Sequence, residues 1–195
     1  MEPRRQNRRD MILKEALQLF SERGFRETSL QDIADRLGVT RPAFYYYFSS
    51  KEEILWSLIE QLGYQLLDQA RPLAARPEPP ATRLAALLAE HTRTLLRNAE
   101  AFRVYFAERD TLDDTRSESL RKGEHSYAKL VAAVIEEGQR AGQIRTGNPT
   151  VLALLALGTA NSVLRWYRAD GPLEPEELAA LVPELALAGL QPRTS

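Results

Sequence analysis

Apolar residues recur at steps of three and four along almost the whole of this 195-residue chain, and the period-two alternation of a half-buried strand is essentially absent. A chain patterned this way hides its apolar side chains by laying helices against helices, so the spacing predicts an all-α fold of about nine helices. The first covers about residues 7–23, with Ile12, Ala16, Leu19 and Phe20 on one face and Leu13 and Leu17 beside them. Gly24 ends it. A short second helix follows, with Thr28 and Ser29 as candidate N-caps, because Thr28 with Gln31 and Ser29 with Asp32 both have capping-box spacing. Leu30, Ile33, Ala34 and Leu37 form its buried face, and Gly38 closes it. Thr40 caps a third helix over about 41–48, with Pro42 in the first turn, where a missing N–H leaves nothing unsatisfied. Ser49 and Ser50 open a fourth, apolar at Ile54, Leu55, Leu58, Ile59, Leu62 and Leu66, that runs to about residue 70.

The texture then changes. Residues 71–80 hold four prolines (72, 77, 79 and 80) and read as a linker. Beyond it the pattern predicts helices over about 81–97, 99–109, 113–141, 149–169 and 175–190. The expected division is therefore a first domain over 1–50, a connecting helix over 51–70 and a second domain over 71–195.

Composition narrows the function classes. With no cysteine there are no disulfides and no thiolate metal sites. No apolar run reaches the ~18 residues of a membrane span, and no signal-peptide pattern follows the basic start, so a cytoplasmic protein with no membrane partner is expected. The two histidines, His91 and His125, each follow a glutamate (Glu90, Glu124) and read as surface pairs. No metal-ligand spacing, nucleophile motif or glycine-rich phosphate loop accompanies them, so neither enzyme, metal nor cofactor is expected. The net charge of −1 is unevenly spread: residues 1–51 carry ten Lys/Arg against seven Asp/Glu, and the remainder is acidic. A basic front on an acidic body fits a DNA reader joined to something else. Arg4, Arg5, Arg8 and Arg9 are placed to reach a flanking minor groove as a basic arm.

Two short helices joined by a tight Gly38-Val39 turn have helix-turn-helix geometry, in which the second helix enters the major groove. Here Phe44 and Phe48, at i and i+4, form its inward stripe. Thr40, Arg41, Ala43, Tyr45, Tyr46 and Tyr47 are left for the outside, since three successive tyrosines at 100° per residue splay around most of a helix. Phe20-Ser21-Glu22-Arg23-Gly24-Phe25, Thr28-Ser29-Leu30-Gln31-Asp32-Ile33-Ala34, Gly38-Val39-Thr40 and Phe44-Tyr45-Tyr46-Tyr47-Phe48-Ser49-Ser50-Lys51-Glu52-Glu53 stand in order at matching spacings. Over residues 7–67 the chain thereby resembles the TetR/AcrR family of bacterial repressors. The resemblance implies a phosphate-binding hydroxyl at Ser29, base-edge positions at Thr40, Arg41, Pro42 and Ala43, and a guanine contact by Arg41. It further implies backbone-gripping tyrosines at Tyr45 and Tyr46, with Tyr47 where relatives more often carry histidine, and a phosphate-contacting lysine at Lys51. Pro42 stands where relatives often have glycine.

A single helix-turn-helix reads too few base pairs to find one site in a genome, so a homodimer on a pseudo-palindromic double-stranded DNA operator is expected. The wholly apolar stretch 151–157 and the leucines of the last helix are the expected interface. The stretch from Asn161 to Leu173 is similar to the equivalent stretch of family members that respond to acyl-coenzyme A. That likeness implies a small-molecule effector of this type, in fatty acid degradation; the candidate residues to hold it are Arg103, Phe106, Tyr127, Asn161, Arg165, Trp166 and Arg168. The aromatic set Phe102, Tyr105, Phe106 and Tyr127 would equally suit the lipophilic drugs of an efflux repressor. A helical adaptor between proteins is the expectation of another class.

Overall fold

The computed structural model describes residues 2–192, with side chains from Asn7 onward. Among them there is no strand, and nine α-helices follow one another: α1 Glu2–Arg23, α2 Leu30–Arg36, α3 Arg41–Tyr45, α4 Lys51–Ala74, α5 Pro80–Arg97, α6 Ala99–Glu108, α7 Asp114–Arg140, α8 Pro149–Ser162 and α9 Pro175–Ala188. Short 3₁₀ turns follow α6 (Arg109–Thr111) and α8 (Val163–Arg165).

Several boundaries differ from expectation for identifiable reasons. Helix α1 begins at Glu2 rather than near 7, so Arg8 and Arg9 are helical and not part of a free arm. Arg9 is half-buried. Its Nη2 donates to Ser57 Oγ at 2.7 Å and its guanidinium lies 4.8 Å from the Phe48 ring. The side chains of Arg4 and Arg5 lie outside the described residues. Helix α3 stops at Tyr45 because the N–H groups of both Tyr47 and Phe48 turn back to the Phe44 carbonyl, at 2.9 and 3.3 Å, and tighten the chain. Helix α4 passes through Pro72 to Ala74, so the linker shrinks to the few residues before Pro80; a proline this near a helix end forfeits one hydrogen bond without ending the helix. Helix α8 tightens at Val163 instead of continuing to 169.

The chain forms two compact units. The first comprises residues 1–62 and 99–120. Helix α6 and the start of α7 fall in this unit, where α6 packs on α1, so the stretch 71–195 expected as a second domain contributes to both compact units. Its core holds Ile12, Ala16, Leu19, Phe20, Ile33, Phe44, Phe48, Ile54 and Leu55, all nearly inaccessible, with Phe20 and Phe25 edge to face at 5.0 Å. Leu30 and Leu37, expected in the core, are only half-buried. Two glycines carry the turns: Gly24 at φ 90° and Gly38 at φ 63° adopt the left-handed conformation that side chains disfavour.

The second unit comprises residues 63–98 and 121–195. Its centre is the packing of α5 against α9 and α8, with Leu84, Leu87, Leu88, Val131, Ile135, Ala153 and Leu157 buried together. Arg83 is buried as well, donating to the Ala74 carbonyl at 2.6 Å and pairing with Glu137.

Candidate nucleic-acid interface and effector site

The helix-turn-helix is held from beneath and left bare above. Ser29 is the N-cap of α2: the Asp32 N–H donates to Ser29 Oγ at 3.2 Å, and the Ser29 N–H donates to the Asp32 carboxylate at 2.8 Å. The Ser29 hydroxyl also donates to that carboxylate, and these bonds hold Asp32 below its usual carboxylate range. A phosphate reaching Ser29 therefore competes with Asp32 for the hydroxyl proton. Thr28, the other candidate cap, is buried instead and donates to the Gly24 carbonyl at 2.8 Å. Thr40 stands at the N-cap of α3 without a side-chain cap bond, which leaves its hydroxyl for other partners.

Phe44 and Phe48 are both 1% exposed, as the i, i+4 stripe requires. Around them Arg41, Pro42, Ala43, Tyr45 and Tyr46 are exposed and Tyr47 is half-buried, with Tyr46 and Tyr47 edge to face at 5.2 Å. Arg41 folds over Tyr45: its Nη2 donates to the phenolic oxygen at 3.2 Å, and the guanidinium carbon sits 5.4 Å from the ring centre. The pair presents a planar five-donor group on an aromatic support, which suits the acceptor edge of guanine.

Lys51 opens α4, yet its ammonium points back into the turn between α1 and α2. It donates to the carbonyls of Phe25, Arg26 and Thr28 at 2.7, 2.9 and 3.1 Å and lies 4.6 Å from the centre of the Phe25 ring. An ammonium has three protons, and all three are committed. Beside it Glu53 accepts from the Ser49 N–H and hydroxyl at 2.8 and 2.7 Å. Burial raises its pKa, but the two Ser49 bonds, with Arg116 and Arg9 nearby, outweigh that and hold the carboxyl below its usual range.

The expected effector residues divide between the two units. Arg103 and Phe106 are exposed on α6 in the first unit, and the other five lie in the second. Arg165 and Trp166 are exposed on the turn after α8, and Arg168 is held in a two-pronged pair with Asp170 at 3.0 Å. Tyr127 and Asn161 do come together, through a residue the sequence reading set aside. His91 is no surface partner of Glu90: it is 5% exposed, with Nδ1 3.0 Å from the Tyr127 hydroxyl and Nε2 2.9 Å from Asn161 Oδ1. Burial pulls its pKa down to about 4 and pushes the Tyr127 phenol up. The signal was available: position 91 continues the α5 stripe of Leu84, Leu87, Leu88 and Leu95. His125 is exposed, as expected. A shallow groove of about 740 Å³ lies elsewhere, lined by Arg76, Arg83, Glu137 and Arg140 among others, and touches none of the expected effector residues. Among the described residues no acidic or histidine cluster is arranged to hold a metal, and no helix is long and apolar enough to cross a membrane.

The family model for the tetracyclin repressor-like C-terminal domain matches residues 77–190, more than half the chain, and that for bacterial regulatory proteins of the tetR family matches residues 12–58. The chain belongs to the TetR family. A TetR/AcrR regulator from Thermobifida fusca, solved by crystallography, is 39% identical to it over 94% of this chain and 98% of that one, with a TM-score of 0.77. The KstR2 repressor of Rhodococcus jostii is 28% identical over 185 residues, 94% of this chain and 91% of its own. AibR, solved in complex with isovaleryl coenzyme A and operator DNA, shares the fold with a TM-score of 0.81 over 96% of this chain and all of that one, at 23% identity. As a TetR family member the protein is a DNA-binding transcriptional regulator.

For such a regulator the committed protons of Lys51 have a measurable consequence. Lys51→Met should lower the melting temperature, because three loop carbonyls lose their partner, while the slope of log K for operator binding against log salt stays as it was. If Lys51 instead neutralised one phosphate in each half-site, two contacts at about 0.9 apiece would disappear from that slope. Fluorescence anisotropy on operator DNA between roughly 50 and 200 mM salt separates the two.

Proposed function

We propose that this protein is a homodimeric repressor that leaves its operator when an acyl-coenzyme A thioester binds its second unit. Ser29, Thr40, Arg41, Pro42, Ala43, Tyr45, Tyr46 and Tyr47 form the DNA-facing surface, and Lys51 holds the turn that presents Ser29. The observation that carries the reading is the exposed Arg41, Tyr45 and Tyr46 above a sealed Phe44–Phe48 base, on a chain whose other unit is a separate apolar helical body.

Pairing is supported by α8. Its outward face carries Val151, Leu154, Leu155, Gly158, Thr159 and Ser162, spaced at three and four, and three of these are large apolar groups at 50–64% exposure. Leu181 and Leu185 on α9 are exposed in the same manner. A helix apolar on every side needs cover on every side, and a second copy supplies it across a two-fold axis. The effector class is supported by the likeness of the stretch from Asn161 to Leu173 to acyl-CoA-responsive regulators, by the KstR2 repressor among the relatives, and by the same fold holding isovaleryl coenzyme A in AibR. Arg165, Trp166 and Arg168, exposed at the end of α8, are the residues suited to the nucleotide end of such a ligand.

Binding free energies are reciprocal, so the factor by which effector weakens operator binding equals the factor by which operator weakens effector binding. The test is a thermal-shift panel paired with operator retardation. Long-chain acyl-CoA should raise the melting temperature and release DNA, while the free fatty acid and lipophilic cationic dyes do neither. A shift with the dyes alone would replace this reading with a drug-responsive efflux repressor.

A further inference from the structure

The buried chain of Tyr127, His91 and Asn161 links one polar side chain from each of three helices, α7, α5 and α8, inside a unit whose other buried polar side chains, Arg83, Thr92 and Thr94, all belong to α5. Stability does not explain it. Each such bond contributes only about 1 kcal/mol net, and apolar groups of the same shape do as well. What the chain does is fix orientation. Asn161 Oδ1 can only accept, so His91 carries its proton on Nε2; Nδ1 is then a bare acceptor, and the Tyr127 hydroxyl donates to it. With Oδ1 held by His91, the amide nitrogen of Asn161 must face the opposite way. Asn161 is half-buried, and within the described residues that nitrogen neither has a protein partner nor is sealed from solvent.

We infer that the Asn161 amide nitrogen is the donor that recognises the effector's carbonyl oxygen, and that His91 and Tyr127 are positioning residues that hold it outward. The inference rests on the acyl-coenzyme A reading and sharpens it. The anchoring group and both residues behind it are neutral, so the site favours an uncharged carbonyl, as in a thioester, over the carboxylate of a free fatty acid, whose charge would be desolvated without a cation to meet it. Binding in this manner breaks neither of the two existing bonds.

The experiment compares dodecanoyl-CoA with S-dodecyl-CoA, a thioether identical but for the missing carbonyl oxygen, by titration calorimetry on the intact protein. Wild type should prefer the thioester by roughly 3- to 10-fold, the worth of one neutral hydrogen bond. Asn161→Ala should bring the ratio to one. Tyr127→Phe, which removes a single oxygen from the far end of the chain, should lower it part of the way, a change that a merely structural role for Tyr127 would not produce. Should Asn161→Ala fail to fold, Tyr127→Phe still reads the same ratio. A thioester preference that persists undiminished in these variants overturns the anchor while leaving acyl-CoA as effector. Wild-type protein that binds neither compound overturns the effector reading and the anchor together.

Discussion

Replacing Arg41 with alanine should cut specific operator affinity by roughly 30- to 10⁴-fold while barely changing affinity for unrelated DNA. One bidentate arginine–guanine contact discriminates by roughly 5- to 150-fold, and a two-fold symmetric dimer makes the contact twice. The side chain is exposed and its partner within the chain is Tyr45, so the fold loses little with it. Tyr46→Ala should behave differently. A phenol gripping the sugar-phosphate backbone carries no sequence information and releases no counterion, so specific and non-specific binding should weaken together and the salt slope should hold. Phe44 and Phe48 keep both variants folded, which circular dichroism would confirm. The decisive measurement is anisotropy titration of operator and scrambled duplex with each single variant and the double. A folded double variant that binds operator as tightly as wild type would remove α3 from the interface and the regulator's reading head with it.

The parts of the molecule governed by short-range periodicity could be read from the residues. The Phe44–Phe48 stripe follows from i, i+4 spacing, and the caps at Ser29 and Asp32 follow from a three-residue interval, as do most helix limits to within a few residues. Where the outcome depended on partners distant in the chain, the reading lost contact with it. Lys51 stands in a motif that suggests phosphate, yet its protons meet carbonyls more than twenty residues away, a choice no local pattern encodes. Arg9 looked like part of a loose basic arm and is instead a brace between Ser57 and Phe48. The candidate effector residues stand out by chemical type, and type alone does not say that α6 packs with the first unit. His91 is the instructive case, because two signals conflicted: its neighbour Glu90 argued for the surface and the α5 stripe argued for the interior. Helical period deserved the greater weight, since it reports which face a residue occupies, whereas an adjacent residue lies about 100° around the helix.

That burial makes the protein's acid sensitivity predictable. His91 has a folded-state pKa of about 4 against an ordinary value of 6.5, because the desolvated ring resists charging more than its bond to Asn161 favours it. The groups that face it from the neighbouring helices, the Tyr127 hydroxyl and the Asn161 amide, are uncharged at these pH values, and Glu90 on its own helix acts on Tyr127. Between pH 6.5 and 4 the unfolded chain therefore binds a proton at this site that the folded chain does not, so stability rises with pH across that window and falls on acidification. From the two pKa values, the loss between pH 7 and pH 5 is close to ~2 kcal/mol, approaching ~3 kcal/mol by pH 4 and levelling off below it. Asp32 and Glu53 add to acid sensitivity in the usual carboxylate direction. Their folded values lie below 3.8 and 4.5, so their contribution is lost mainly beneath the histidine window. Urea unfolding at pH 7, 6 and 5 should show wild type losing stability along this curve, while His91→Gln, less stable at neutral pH, stays nearly level. Parallel curves for the two proteins would mean that position 91 takes up its proton in the folded state as readily as in the unfolded one, and the buried triad as described would have to be abandoned.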